Sequence, residues 1–89
     1  MKKSVGRVFF PNNGTTLQYF VFGSEQSGFG VQILQYQGEQ VLQNEVRGHL
    51  THDWMSARNF AHSLARGAVF PDNLDEICQD YQFSSLINS

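Results

Sequence analysis

The chain is poor in the residues that announce chemistry: one cysteine, two prolines, one tryptophan and six lysines and arginines in 89 residues. A lone Cys78 excludes an intrachain disulfide and a zinc site made of thiolates from one chain. No apolar run approaches the roughly 20 residues that span a bilayer. Met1 to Arg7 is basic but lacks the apolar stretch of a signal peptide. Arg7, Arg47, Arg58 and Arg66 are scattered, and only Lys2 and Lys3 adjoin. Phosphate tracking needs a clustered basic face, so nucleic acid is not the expected partner. These absences lead us to expect a reduced cytoplasm, with no membrane partner and no cofactor or metal.

What is present suits a packed core. The composition is 40% hydrophobic and 13% aromatic, with eight phenylalanines. The first half alternates and favours aromatic and β-branched residues, which is the pattern of pleated strands. Val5 to Phe10 reads as one strand, with Val5, Arg7 and Phe9 on one face and Gly6, Val8 and Phe10 on the other. Pro11 stops it, and Asn12-Asn13-Gly14 supplies hairpin chemistry. Thr15 to Phe22 and Phe29 to Tyr36 read as the next strands. Between them the polar loop from Gly23 to Gly28 is expected to be the most mobile segment. Val41 to Val46 is the fourth strand, expected to keep one wet face.

Near Gly48 the period changes from 2 to 3.6. Thr51 is the expected helix cap, with Leu50 stapled onto Met55 and Asp53 complementing the dipole. Trp54, Ala57, Ala61, Leu64 and Ala68 form a core-facing stripe, and Arg66-Gly67 stops the helix with glycine in the left-handed region. Pro71 or Asp72 opens a second helix, on which Leu74, Ile77, Cys78 and Tyr81 make another apolar stripe.

Phe29-Gly30-Val31-Gln32-Ile33, Leu50-Thr51-His52-Asp53 and Ala65 to Pro71, followed by Leu74, Ile77, Asp80 and Tyr81, together resemble a family of short, uncharacterised Firmicutes proteins. The resemblance implies an order of strands, a helix, a Val-x-Pro connector and an acidic final helix. It departs at Phe70, where the family has a Ser or Thr cap, and in strands that carry Gln for Glu and Lys. It implies no activity and brings no functional residue.

Three candidate chemistries compete with plainer readings. His49, His52 and His62 suggest a metal, but a zinc site needs three or four converging ligands. His62 lies ten residues beyond His52, about 15 Å along a helix axis, so helix-surface histidines is the reading kept. Cys78 with a histidine makes a thiol nucleophile on paper, yet its place in an apolar stripe marks a structural cysteine. Gly28-Phe29-Gly30 lacks the strand–loop–helix context that cradles phosphate.

The aromatic residues carry more. Strands one to three bear large apolar side chains on both faces, and two short helices cover only one. If Val5, Phe9, Tyr19, Val21, Phe29, Val31 and Ile33 take the helices, then Phe10, Phe20, Phe22, Leu34 and Tyr36 lack a cover, or the reverse. The plain alternative is that sheet curvature and the segment Phe83 to Ile87 cover them.

The expected fold is α+β, an antiparallel four-stranded meander followed by two helices packed on one face. It forms a single domain over 1–89, with a sheet over 5–46, helices over 51–81 and a tail over 82–89. The expected function is a non-catalytic module that binds a protein partner or a second copy through Phe20, Phe22, Leu34 and Tyr36. By analogy it fits the compact phage and mobile-element inhibitors of host defence nucleases. The alternatives are a single-stranded nucleic-acid binder using sheet aromatics, and a thiol enzyme using Cys78 and a histidine.

Overall fold

The computed structural model describes residues 1–80. Four strands, β1 (Lys2–Phe10), β2 (Thr15–Ser24), β3 (Gly28–Gln37) and β4 (Gln40–Thr51), pair antiparallel in the order β1-β2-β3-β4. Helix α1 (Trp54–Arg66), a 3-10 turn (Pro71–Asn73) and helix α2 (Leu74–Asp80) follow. The expected meander with two helices is the observed architecture. The whole of the expected tail over 82–89, with Phe83 and Ile87, and Tyr81 of the expected second apolar stripe lie outside the described residues.

Alternation decides which side the helices take. Leu17, Tyr19 and Val21 of β2 and Phe29, Val31 and Ile33 of β3 are buried against Ala57, Phe60, Ala61 and Leu64 of α1 and Leu74 of α2. A Cβ added to Gly6 would lie 2.7 Å from the Cβ of Ala65, so glycine is what lets β1 reach the helix.

The faces of β1 differ from the expected assignment. A bulge between Ser4 and Gly6 shifts the register, so Val5 packs on the core with Val8 and Phe10. Phe10 stacks on Phe70 with ring centroids 5.7 Å apart, whereas Phe9 points the other way and is 59% exposed. One extra residue in a strand inverts the alternation beyond it.

Strand β4 runs to Thr51, well past the expected end at Val46. Across from Gly30, three residues (Gly48, His49 and Leu50) bulge out before pairing resumes at Phe29 and Thr51. A Cβ on Gly30 would sit 2.2 Å from the carbonyl oxygen of Arg47, so the bulge requires that glycine. The helix cap is Asp53, whose carboxylate accepts from the Ser56 amide at 3.0 Å. Thr51 instead accepts from the Asp53 amide, and Met55 is exposed, so no Leu50–Met55 staple forms. At the other end Gly67 stays right-handed and Ala68 takes the left-handed position at φ 49°. The amide of Val69 reaches back to the Leu64 carbonyl and that of Ala68 to Ala65, which closes the helix.

Candidate protein-binding face

The face of the sheet turned away from the helices has no described element packed on it. Direct pairing across the ladders fixes what it displays. One row runs Phe9, Thr16, Tyr36, Val41; the next runs Arg7, Gln18, Leu34, Asn44. A third runs Ser4, Phe20, Gln32, Val46, and the last joins Lys2 and Phe22 to Gly30. Phe20, Phe22, Leu34 and Tyr36 therefore share this face, each half-buried by its neighbours. Phe9 and Val46 join them, and both are exposed.

Local chemistry explains each position. Phe22 leans across two glycines: a Cβ on Gly30 would meet its ring edge at 2.8 Å and one on Gly48 at 3.8 Å. The ring occupies the trough that the missing side chains leave. Lys2 sets its ammonium 4.5 Å from the Phe20 ring centroid, a cation–π contact at the rim. Gln32 donates to Asn44 at 2.8 Å and Gln18 to Ser4 at 3.2 Å, so the amides tie neighbouring strands together. The face carries aromatic and aliphatic side chains between neutral amides, and its strand charges, Lys2 and Arg7, stand at the β1 edge.

Strand β4 shows the arrangement most sharply. Gln43, Glu45 and Arg47 face the helix side. Gln43 donates to Asp72 at 2.7 Å, and Arg47 pairs with Glu45 at 3.2 Å and with Asp75. Val41 and Val46 face the open side. An ordinary sheet with one wet face puts its polar residues toward water and its apolar ones toward the core. In β4, Gln43 and Arg47 dock the 3-10 turn and α2, and Val41 and Val46 are left outward with Asn44. Leu42, the extra residue of a second bulge, is also exposed. The wet face expected of β4 is the apolar one.

The other candidates are dispersed. His49 and His52 precede α1 and are not on its surface. Each places Nδ1 2.8 Å from a carbonyl of the β2–β3 turn, His49 from Ser27 and His52 from Glu25. A carbonyl only accepts, so both rings donate from Nδ1. Together with the Ser24–Ser27 hydroxyl contact at 2.8 Å, they make the expected mobile loop a cross-linked turn. His62 stands apart on α1, and among the described residues no three His, Cys, Asp or Glu side chains converge as a metal site. Cys78 packs at the margin of the core; burial pushes its thiol up, Arg47 pulls it back and Asp75 adds to the rise. Arg47 is engaged with carboxylates on the helix side, so it does not join Arg7 in a groove over the aromatic rings.

Tyr19 was not singled out by its sequence context. Its ring is fully buried, and its hydroxyl donates to the Val69 carbonyl at 2.9 Å, fastening the α1–turn connector to the middle of the sheet. Burial raises its pKa to about 12. A tyrosine in an alternating strand reads as either face; only the position of the connector carbonyl assigns it.

No family model, curated protein or solved structure matches this chain. No helix among the described residues is long and apolar enough to cross a membrane.

Proposed function

We propose that the chain is a non-catalytic protein-binding module that regulates or inhibits a partner by occupying its surface through the open sheet face. The observation that carries this reading is the inversion within β4, which turns Val41 and Val46 outward beside Phe20, Phe22, Leu34 and Tyr36 while Gln43 and Arg47 serve the helices. Exposing such a patch in water is unfavourable, and a patch of this kind typically marks a site of association. Aromatic and apolar side chains among neutral hydrogen-bonding groups, with charge at the rim, is the make-up of an interface centre. Four strands of about ten residues present roughly 600 Å² in projection, close to the about 800 Å² per partner of an ordinary complex.

The test is affinity capture from a lysate of the source cells, comparing the parent with a Tyr36→Gln, Val46→Lys double variant and with Glu76→Gln on α2. The expected result is a protein retained by the parent and by Glu76→Gln but lost by the double variant, which keeps its melting temperature. Retention by all three, or an unfolded double variant, would overturn the reading. Sedimentation of the parent alone separates a second copy from a different protein as the occupant.

A further inference from the structure

A second surface, on the opposite layer, has its own chemistry. Of the six lysines and arginines, five lie on two elements: Lys2, Lys3 and Arg7 on β1, and Arg58 and Arg66 on α1. The carboxylates gather elsewhere, with four of the eight on the 3-10 turn and α2. Helix α1 contains no Asp or Glu in its thirteen residues. Its nearest carboxylate in sequence, Asp53, is committed to the Ser56 amide and hydroxyl.

Arg58, His62 and Arg66 stand at i, i+4 and i+8, on one flank of α1. With Asn59 they line a shallow hollow of about 410 Å³. Among the described residues neither arginine has an ion-pair partner. Burial does not demand these charges, because α1 packs through Ala57, Phe60, Ala61 and Leu64. Fold stability therefore gives no account of the stripe.

From this we infer that the Arg58–His62–Arg66 flank of α1 binds an acidic polypeptide segment of a partner protein. The side chains rise about 6 Å per step along the axis. Carboxylates on one face of a helix at four-residue spacing, or on alternate residues of an extended strand, repeat at close to that interval. Arginine presents a planar fork that meets a carboxylate with two parallel hydrogen bonds, and the Asn59 amide adds a neutral donor. A nucleic-acid strand would supply anions too, but it is held by stacking its bases on rings. The hollow has no aromatic lining, and among the described residues the exposed ring, Phe9, lies on the far side of the sheet. The inference is independent of the open face, since the two surfaces share no residue.

The experiment titrates the full chain, labelled with nitrogen-15, with an oligoglutamate peptide at about 50 mM salt and follows amide shifts. Saturable shifts confined to residues 58–66 are expected, with affinity weakening severalfold when salt rises to about 300 mM. The double variant Arg58→Gln, Arg66→Gln should bind about fivefold or more weakly. Neither arginine makes an ion pair among the described residues, so the variant should melt close to the parent, and a lost signal then reports lost contacts. Phe22→Ser on the open face should leave this titration unchanged even where it disrupts partner capture, which keeps failure of one surface distinct from failure of the other. The inference is overturned if no saturable shifts occur at about 50 mM salt, if the double variant binds as the parent does, or if the shifts fall outside α1. Tighter binding of an oligothymidylate than of oligoglutamate would also overturn it, assigning the stripe to nucleic acid.

Discussion

The two faces of one sheet are built from alternate residues of the same strands, yet they obey different rules. On the covered face, Leu17, Tyr19, Val21, Val31 and Ile33 are within a few per cent of complete burial. On the open face, Phe20, Phe22, Leu34 and Tyr36 shield one another only in part, and Val41 and Val46 stand in water. Hydrophobicity alone does not tell the faces apart, because both are rich in it. What separates them is the setting: on one side the side chains pack under α1 and α2 with almost no amides among them, and on the other the rings are interleaved with Gln18, Gln32 and Asn44. A closed core tolerates few unpaired amides, whereas an intermittently wet surface needs them. The open face thus has a mixed apolar and amide chemistry that the covered face lacks.

The comparison is broken first by truncating the covered face. Ile33→Ala removes a fully buried side chain that pairs across from Tyr19, and cavity formation in such a site costs about 2–5 kcal/mol. For a domain of this size that is a large share of the total stability. Urea denaturation should show the midpoint falling steeply, or the variant should fail to fold. A loss under about 1 kcal/mol would mean that the covered face is not the organising core.

Tyr19 sharpens the same comparison with a polar atom. Tyr19→Phe leaves the Val69 carbonyl without its donor inside the fold, at a cost of about 1–2 kcal/mol. The parent should also lose stability in alkali in a defined window. The folded hydroxyl is held at about 12, above the ordinary value of about 10, so the neutral phenol favours folding. That contribution is complete below about pH 10 and disappears as pH rises toward 12. Thermal melts across this window should show a slope in the parent that the phenylalanine variant lacks.

The connector that Tyr19 fastens offers a smaller effect of opposite sign. Ala68 occupies a left-handed conformation that glycine adopts without penalty, and Ala68→Gly should stabilise the protein by about 0.5–1 kcal/mol. Differential scanning calorimetry resolves that change. A lower melting temperature would show that the Ala68 side chain contributes packing greater than its backbone strain.

These positions show what was legible in the chain and what was not. The strands and the sharing of one face by Phe20, Phe22, Leu34 and Tyr36 follow from alternation, and the helix stripe from the 3.6-residue period; both are local properties. The places of Phe9 and Phe10 did not, because a bulge at Val5 reverses every residue after it, and nothing local marks the bulge. The left-handed site went to Ala68 although Gly67 adjoins it: the helix runs one residue further than composition suggests. The outward turn of Val41 and Val46 was hidden for a different reason. It depends on Asp72 and Asp75, some thirty positions later, claiming Gln43 and Arg47 for the helix side. The histidines read as a surface set because their carbonyl partners lie in a turn more than twenty residues away.

The smallest effect is the one that most directly tests the difference between the faces. Val46→Thr is nearly isosteric and adds a hydroxyl. In a closed core the added hydroxyl would cost about 1–3 kcal/mol. Val46 is 40% exposed beside Gln32 on the open face, so the change in the isolated chain should stay within about 0.5 kcal/mol. Chemical denaturation under dilute conditions measures it. A null result there, combined with weaker partner capture, would show that the side chain serves an encounter and not the fold. A loss of more than about 1 kcal/mol at low concentration would show that Val46 is already sheltered within the chain, and the distinction between the two faces would collapse.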